Sequence, residues 1–197
     1  MKEPWYRKTY RRMLFDMHVP DWNPEFLSKF DPEQVIRNVV KAGVQSIMID
    51  ANSHTGLSYW PTKVGREHNA FKGKDLFGHM LDLSHRAGLD VIVYYCLVFT
   101  DWYWDEHPEC RIVDAEGQAQ KLLMGSTGRP RRFSTICPNN AAYREFALAQ
   151  LEEICNGYDF EGVWPDMTFW PTVCYCESCR QRYESEVGEP MPRTINW

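Results

Sequence analysis

The chain has 197 residues, a mass of 23.2 kDa and a formal net charge of −5. That length supports one well-buried core, and a composition of 44% hydrophobic and 14% aromatic residues excludes a disordered chain. The acidic balance argues against nucleic acid as a partner, and no apolar run approaches the roughly 20 residues that would make it a membrane protein.

Arg12–Met17 reads as a first short strand whose exit is His18-Val-Pro-Asp-Trp22. Asp31-Pro32-Glu33 starts a helix: Asp caps, Pro takes the first helical position and the acid suits the helix dipole. Val35, Ile36, Val39 and Val40 repeat at helical spacing, and Gly43 closes the segment. Val44–Asp50 follows as a second strand. A helix over about Lys74–Ala87 ends at Gly88, and Leu89–Cys96 is a third strand. A long loop spans roughly Phe99–Asn139, with a tight turn at Asp114-Ala-Glu-Gly117. Within that stretch Arg129, Arg131 and Arg132 form the one compact basic run and read as a solvated loop. A third helix covers Asn140 to about Asn156, and Phe160–Asp166 is the fourth strand.

Strand then helix, repeated, with continuous apolar strands, means a parallel sheet covered by helices. No Gly-x-Gly-x-x-Gly turn follows the first strand, which speaks against a dinucleotide-binding sheet and against an organic cofactor. A closed (β/α)8 barrel needs about 250 residues. The expected fold is therefore α/β of the TIM-barrel type, a single unit over residues 1–197 that holds the first four strand-helix units. The remaining half-barrel is expected beyond the chain or from self-association.

Seven cysteines with no apolar signal core at the N-terminus read as metal ligands plus buried thiols in a cytoplasmic protein. Cys174-x-Cys176-x-x-Cys179 offers three thiols within six residues, and Cys137 lies at the start of the third helix. Four thiolates suit a structural zinc; a chance group of thiols, or a disulfide between two of them, is the competing reading. His107 and Cys110 are substitute ligands, and Cys96 and Cys155 are expected to be core thiols.

Reactive side chains of a barrel sit where strands end. The exits here carry Asp16 and His18, Asp50 and His54, Asp101 with Trp102, and Asp166. Carboxylates at successive exits suit glycoside hydrolysis, in which one attacks or stabilises the anomeric carbon and another group protonates the leaving oxygen. Pro165 fixes the backbone before Asp166 and marks the strand's end. Trp22, Tyr59, Trp60, Trp102, Tyr103, Trp104, Phe169 and Trp170 gather at the same end, as sugar-stacking surfaces or as packing against a missing half.

Two barrel glycosidase groups resemble these motifs. Lys74-Asp-Leu-Phe-Gly, His85–Tyr95 and Asp101-Trp102 look like the second helix and third strand of α-L-fucosidases. Ser53-His54-Thr55-Gly56-Leu57 resembles their sugar-contacting His-His-Asp-Gly-Phe segment, with one histidine kept and Thr55 in place of Asp. Val163-Trp164-Pro165-Asp166 is similar to the segment that carries their nucleophile, which would make Asp166 that residue. His107-Pro-Glu109, Val113–Gly117, Cys137-Pro-Asn-Asn and Tyr143-Arg-Glu145 resemble the β-galactosidases of family 42. Cys137, Cys174, Cys176 and Cys179 match that family's zinc ligands. Asp166-Met167-Thr168 stands where that family has Asp-Asn-Glu, so its acid/base is absent and β-galactosidase-like activity is disfavoured.

The resemblance implies a retaining, fucosidase-like glycosidase acting on carbohydrate. Asp166 would be the nucleophile, His18, His54 and Asp101 would contact the sugar, and Trp60 and Trp102 would shape the pocket. The general acid would lie outside the chain. A non-catalytic carbohydrate-binding or structural fragment is the alternative.

Overall fold

A computed structural model describes residues 4–119, 134–169 and 172–194. Trp170 and the basic run of Arg129, Arg131 and Arg132 lie outside these described residues. The elements that place the site are β1 (Arg12–Phe15), α1 (Pro32–Lys41), β2 (Ser46–Asp50), α2 (Leu76–Arg86), β3 (Asp90–Cys96), α3 (Asp101–Glu106), α4 (Ala141–Gly157), β4 (Gly162–Asp166) and α5 (Glu177–Val187). The four strands form one sheet in the order β1-β2-β3-β4, every neighbouring pair parallel. Sequential parallel order with helical crossovers is the wall of a (β/α)8 barrel, as expected from the sequence.

Helix starts follow from capping chemistry. The carboxylates of Asp31 and Asp75 accept the backbone N–H of Gln34 (2.9 Å) and Gly78 (2.8 Å), and the Asn140 side chain accepts that of Tyr143 (3.1 Å). Both α1 and α2 stop ahead of a glycine at positive φ, 71° at Gly43 and 77° at Gly88, where an L side chain would be strained.

Strand parity divides the sheet into two faces. Ile47, Ile49 and Ala51 with Val91, Val93 and Tyr95 point to the helices and join Ile36, Val39, Phe77, Met80 and Ile154 in the main core. Met48, Asp50, Tyr94, Cys96, Trp164 and Asp166 share the other face, the inside of the barrel wall, as their pairing registers require. That inner face is open: Leu14 is 50% exposed and Trp164 54%.

Several local elements were not legible in the sequence. Short α3 falls in the stretch read as loop, because six residues carry too little 3.6-residue periodicity to be recognised. A two-residue ladder pairs Leu57–Ser58 with Arg66–Glu67 after β2. The expectation for Cys155 is corrected as well. Ile154 takes the core-facing position of α4, fully buried, and Cys155, about 100° further round the helix, is exposed.

Gly56 shows how tightly the loop after β2 is held. Its φ is 74°, and a Cβ there would lie 1.9 Å from Thr100 Oγ1 and 2.9 Å from Trp102 Nε1. We expect Gly56→Ala to destabilise the protein by about 2–4 kcal/mol through strain and overlap together. A thermal melt followed by circular dichroism checks this; an unchanged midpoint would show that the loop gives way freely.

Candidate active site and cysteine centre

Asp166 ends β4 opposite Cys96 of β3. Both of its oxygens are engaged: the Tyr94 hydroxyl donates to Oδ2 at 2.6 Å and Trp164 Nε1 donates to Oδ1 at 3.3 Å. Met167, the next residue, has φ 58°, a left-handed conformation that costs a non-glycine residue about 1 kcal/mol. The chain thus turns sharply just past the carboxylate, and the strand's end aims Asp166 into the open inner face.

A second group reaches Tyr94 from the β1 exit. His18 Nε2 lies 3.3 Å from the Tyr94 oxygen, whose proton is directed to Asp166. His18 Nδ1 makes a short contact with Asp16 Oδ1 and stands 3.9 Å from Asp50 Oδ2. The His54 ring stacks on His18, centroids 5.3 Å apart and planes within 10°. Residues from four successive strand exits therefore meet as one ionisable cluster around Tyr94. Burial first, then nearby Cys96 and the Asp166 hydrogen bond, push the Tyr94 phenol far above its usual range, so it stays a donor. No sequence motif singles out Tyr94, although the pairing registers place it inward with Asp50 and Asp166.

Other expected site residues fall elsewhere. Trp60 is 2% exposed in the main core, where its Nε1 donates to Glu153 of α4 at 3.1 Å. The same carboxylate accepts from the Thr62 hydroxyl (2.6 Å) and the Lys63 N–H (2.7 Å), so it fastens the loop after β2 to the helix layer. Asp101 and Trp102 brace the His54 loop from outside. The backbone N–H of Asp101 donates to His54 O (3.3 Å), Trp102 N to Thr55 O (3.4 Å) and Trp102 Nε1 to Gly56 O (2.8 Å). The Trp102 ring lies under the Arg66 guanidinium, 5.3 Å away, and meets Phe146 edge-on. It borders a polar groove of about 820 Å³ with Asp21, Glu67 and Glu106, and Asp166 is not among that groove's lining residues. A narrower apolar groove of about 320 Å³ runs beside the β4 exit along Leu97, Tyr143, Leu148, Met167 and Phe169.

Cys137, Cys174, Cys176 and Cys179 come together as four buried, free thiols whose sulfurs all lie within 4.8 Å of one another. Two separations are 3.4 Å (Cys137 to Cys179) and 3.5 Å (Cys176 to Cys137). Sulfurs around a tetrahedral zinc with ~2.3 Å bonds stand about 3.8 Å apart, so the residues present fit that ion. Asn139 Nδ2 donates to Cys179 Sγ at 3.4 Å and is itself oriented by Arg182 (2.8 Å), the kind of outer hydrogen bonding that steadies thiolate ligands. Cys110 packs instead with Tyr103, Trp104 and Ile136, and His107 stacks on Tyr103 at 4.0 Å; neither joins the four. Cys96 is a buried thiol whose pKa burial pushes up to about 12.

A parallel barrel wall with its ionisable groups gathered at the carboxyl ends of the strands defines the (β/α)8-barrel class of enzyme folds. Solved structures with this fold include α-L-fucosidase isoenzyme 2 from Paenibacillus thiaminolyticus, 22% identical with a TM-score of 0.78 over 91% of this chain and 26% of that one. The Thermotoga maritima α-fucosidase with a mechanism-based inhibitor is 22% identical, with a TM-score of 0.52 over 81% of this chain and 32% of that chain. An "S-layer-related protein" of Niallia circulans is 23% identical over 189 residues, 82% of this chain and 11% of its own length. The chain thus spans about a quarter to a third of the fucosidases it resembles, and less of the S-layer-related protein. Residues 31–167, more than half of the chain, match the family described as "Hypothetical glycosyl hydrolase 6". The chain belongs to that glycosyl hydrolase family.

Among the described residues, no helix is long and apolar enough to cross a membrane.

Proposed function

We propose that this chain is the N-terminal half of a retaining exo-glycosidase barrel of α-L-fucosidase-like specificity, working in carbohydrate metabolism. One observation carries the reading: Asp166 ends the fourth strand with Tyr94 and Trp164 holding its two oxygens, with His18 beside Tyr94 and His54 stacked on His18. A nucleophilic carboxylate must be fixed in place yet accessible, and Asp166 is held by two donors on the inner face of the sheet beside the exposed Trp164.

In this mechanism Asp166 attacks the anomeric carbon as the leaving oxygen takes a proton from a general acid. Water then hydrolyses the glycosyl-enzyme ester. The acid belongs to the strands that complete the barrel, either further along the polypeptide or in a second copy. The exposed Leu14 and Trp164 are the surfaces those strands would cover. His18 and His54 would bind sugar hydroxyls, and Asp101 and Trp102 would act on the sugar through the His54 loop that they brace. Zinc on Cys137, Cys174, Cys176 and Cys179 would be structural, fixing the loop after β4. A reducing, cytoplasmic location keeps such thiols available.

The test is the stereochemistry of turnover. The full-length protein, given an aryl α-L-fucoside, should release first the sugar of retained α configuration, as read by proton NMR before mutarotation. Release of the β anomer, or no turnover of any aryl glycoside, would sink the reading.

A further inference from the structure

Asp50 is not needed for the chemistry just described, and its surroundings are unusual. Its side chain is fully buried at the end of β2. Oδ2 accepts the backbone N–H of Met17 at 3.0 Å, whereas Oδ1, also buried, has no hydrogen-bond partner among the described residues. The groups around it are Asp16 and His18 from the β1 exit, Tyr59 from the loop after β2, Tyr94 and Cys96 from β3, and Asp166 from β4. No lysine or arginine is among them. Two of these neighbours are carboxylates; of the imidazoles in the cluster, His18 is in contact with Asp16 and His54 is stacked on the His18 ring. A buried carboxylate without a basic partner, set between two others, carries a proton or binds a cation.

We propose that Asp50 is a positioning residue that works as a neutral carboxylic acid, tying the β1 exit to β2 and so holding His18 against Tyr94 without adding a third negative charge beneath Asp166. The role deepens the glycosidase reading above and rests on Asp166 being its nucleophile. The geometry favours the proton. One backbone N–H is the sole donor that Asp50 receives among the described residues, and a single neutral hydrogen bond does not offset an ionised carboxylate's burial. An uncharged Asp50 also leaves His18 Nδ1 to Asp16, whereas a charged one would compete for it. Burial, opposed by the Met17 N–H and reinforced by Asp16 and Asp166, raises the Asp50 carboxyl to about 8, in the same direction.

The linkage has a definite sign. In the unfolded chain Asp50 loses its proton near 3.8, and in the folded chain near 8. Between those values the folded state binds the extra proton, so stability falls as pH rises across the window. Asn carries no titrating proton and abolishes that slope.

Three measurements on the full-length protein decide the matter. Carbon-13 NMR of aspartate carboxyls, assigned with Asp50→Asn, should show one group titrating above pH 7. Melting temperature should fall from pH 5 to pH 8 more steeply in the wild type than in Asp50→Asn. In turnover of the aryl fucoside, Asp50→Ala should lose about tenfold in kcat/KM, the scale of one hydrogen bond. Asp50→Asn should recover most of that loss and move the alkaline limb upward. An Asp50 carboxyl titrating below pH 5 overturns the proposal. So does a bound divalent cation that both variants lose, since that would make Asp16, His18 and Asp50 a metal site. If no glycoside is turned over, the glycosidase reading fails by itself, and the carboxyl titration and melting slopes still decide the charge of Asp50.

Discussion

Asp166→Asn in the full-length protein should lower kcat/KM on an aryl α-L-fucoside by about ten-thousandfold or more, the scale on which enzymes lose activity when a nucleophilic group is removed. That corresponds to roughly 5 kcal/mol of transition-state stabilisation. The amide is nearly isosteric, but it is a poor nucleophile and cannot form the glycosyl ester. Its amide oxygen can still accept from the Tyr94 hydroxyl, which now donates to Asp166 Oδ2 at 2.6 Å. Circular dichroism and melting temperature should therefore change little, which separates lost chemistry from lost fold. Asp166→Gly adds a second arm. It opens space for azide, which should restore turnover and leave a glycosyl azide of inverted configuration. Turnover unchanged in Asp166→Asn would remove the residue from the mechanism, and Tyr94 and Trp164 would then be fixing a carboxylate with a structural purpose.

The framework of this site was legible in the sequence because its parts obey local rules. Capping by Asp31, the glycine stops after α1 and α2, and uninterrupted apolar strands set the order of elements. It is the pairing registers that put Asp50, Tyr94 and Asp166 on one face, because alternation within each strand does not relate one strand to the next. What local rules do not supply is the meeting of loops. Trp60 read as a pocket aromatic because it follows a strand exit, yet its partner Glu153 is 93 positions away on α4. The Asp101 and Trp102 main-chain bonds to the His54 loop are equally non-local. The unpartnered Oδ1 of Asp50 could not be foreseen, since composition says nothing about which acids lack a base. The cysteines are the exception, a non-local cluster that spacing did suggest, because three of its four members lie within one turn and a short loop.

That cluster carries the second large expectation. Purified protein should hold one zinc per chain, and Cys176→Ser should lose it together with most of the protein's stability. Cys179 is the one buried residue of α5. It seats that helix in the sulfur cluster, which packs with Ile112 and the partly buried Val113. Structural zinc in small peptides contributes on the order of 10–16 kcal/mol, against a net stability of about 5–15 kcal/mol for a whole domain. A chelator should act as the mutation does, lowering the melting temperature and releasing α5 first, seen as fast amide exchange over residues 177–187. The β-sheet core, built on Ile47, Val91 and Val93, should exchange last. Because Cys174 anchors the loop leaving Asp166, metal loss should also lower kcat/KM, and added zinc should restore it in the wild type but not in Cys176→Ser. Retention of zinc by Cys176→Ser, or a chelated protein with unchanged melting, would show that the thiols merely pack. The order of loss is the sharper reading: if α5 and the β4 exit loosen together when zinc leaves, the cysteines fix the position of Asp166 as well as stabilising the fold.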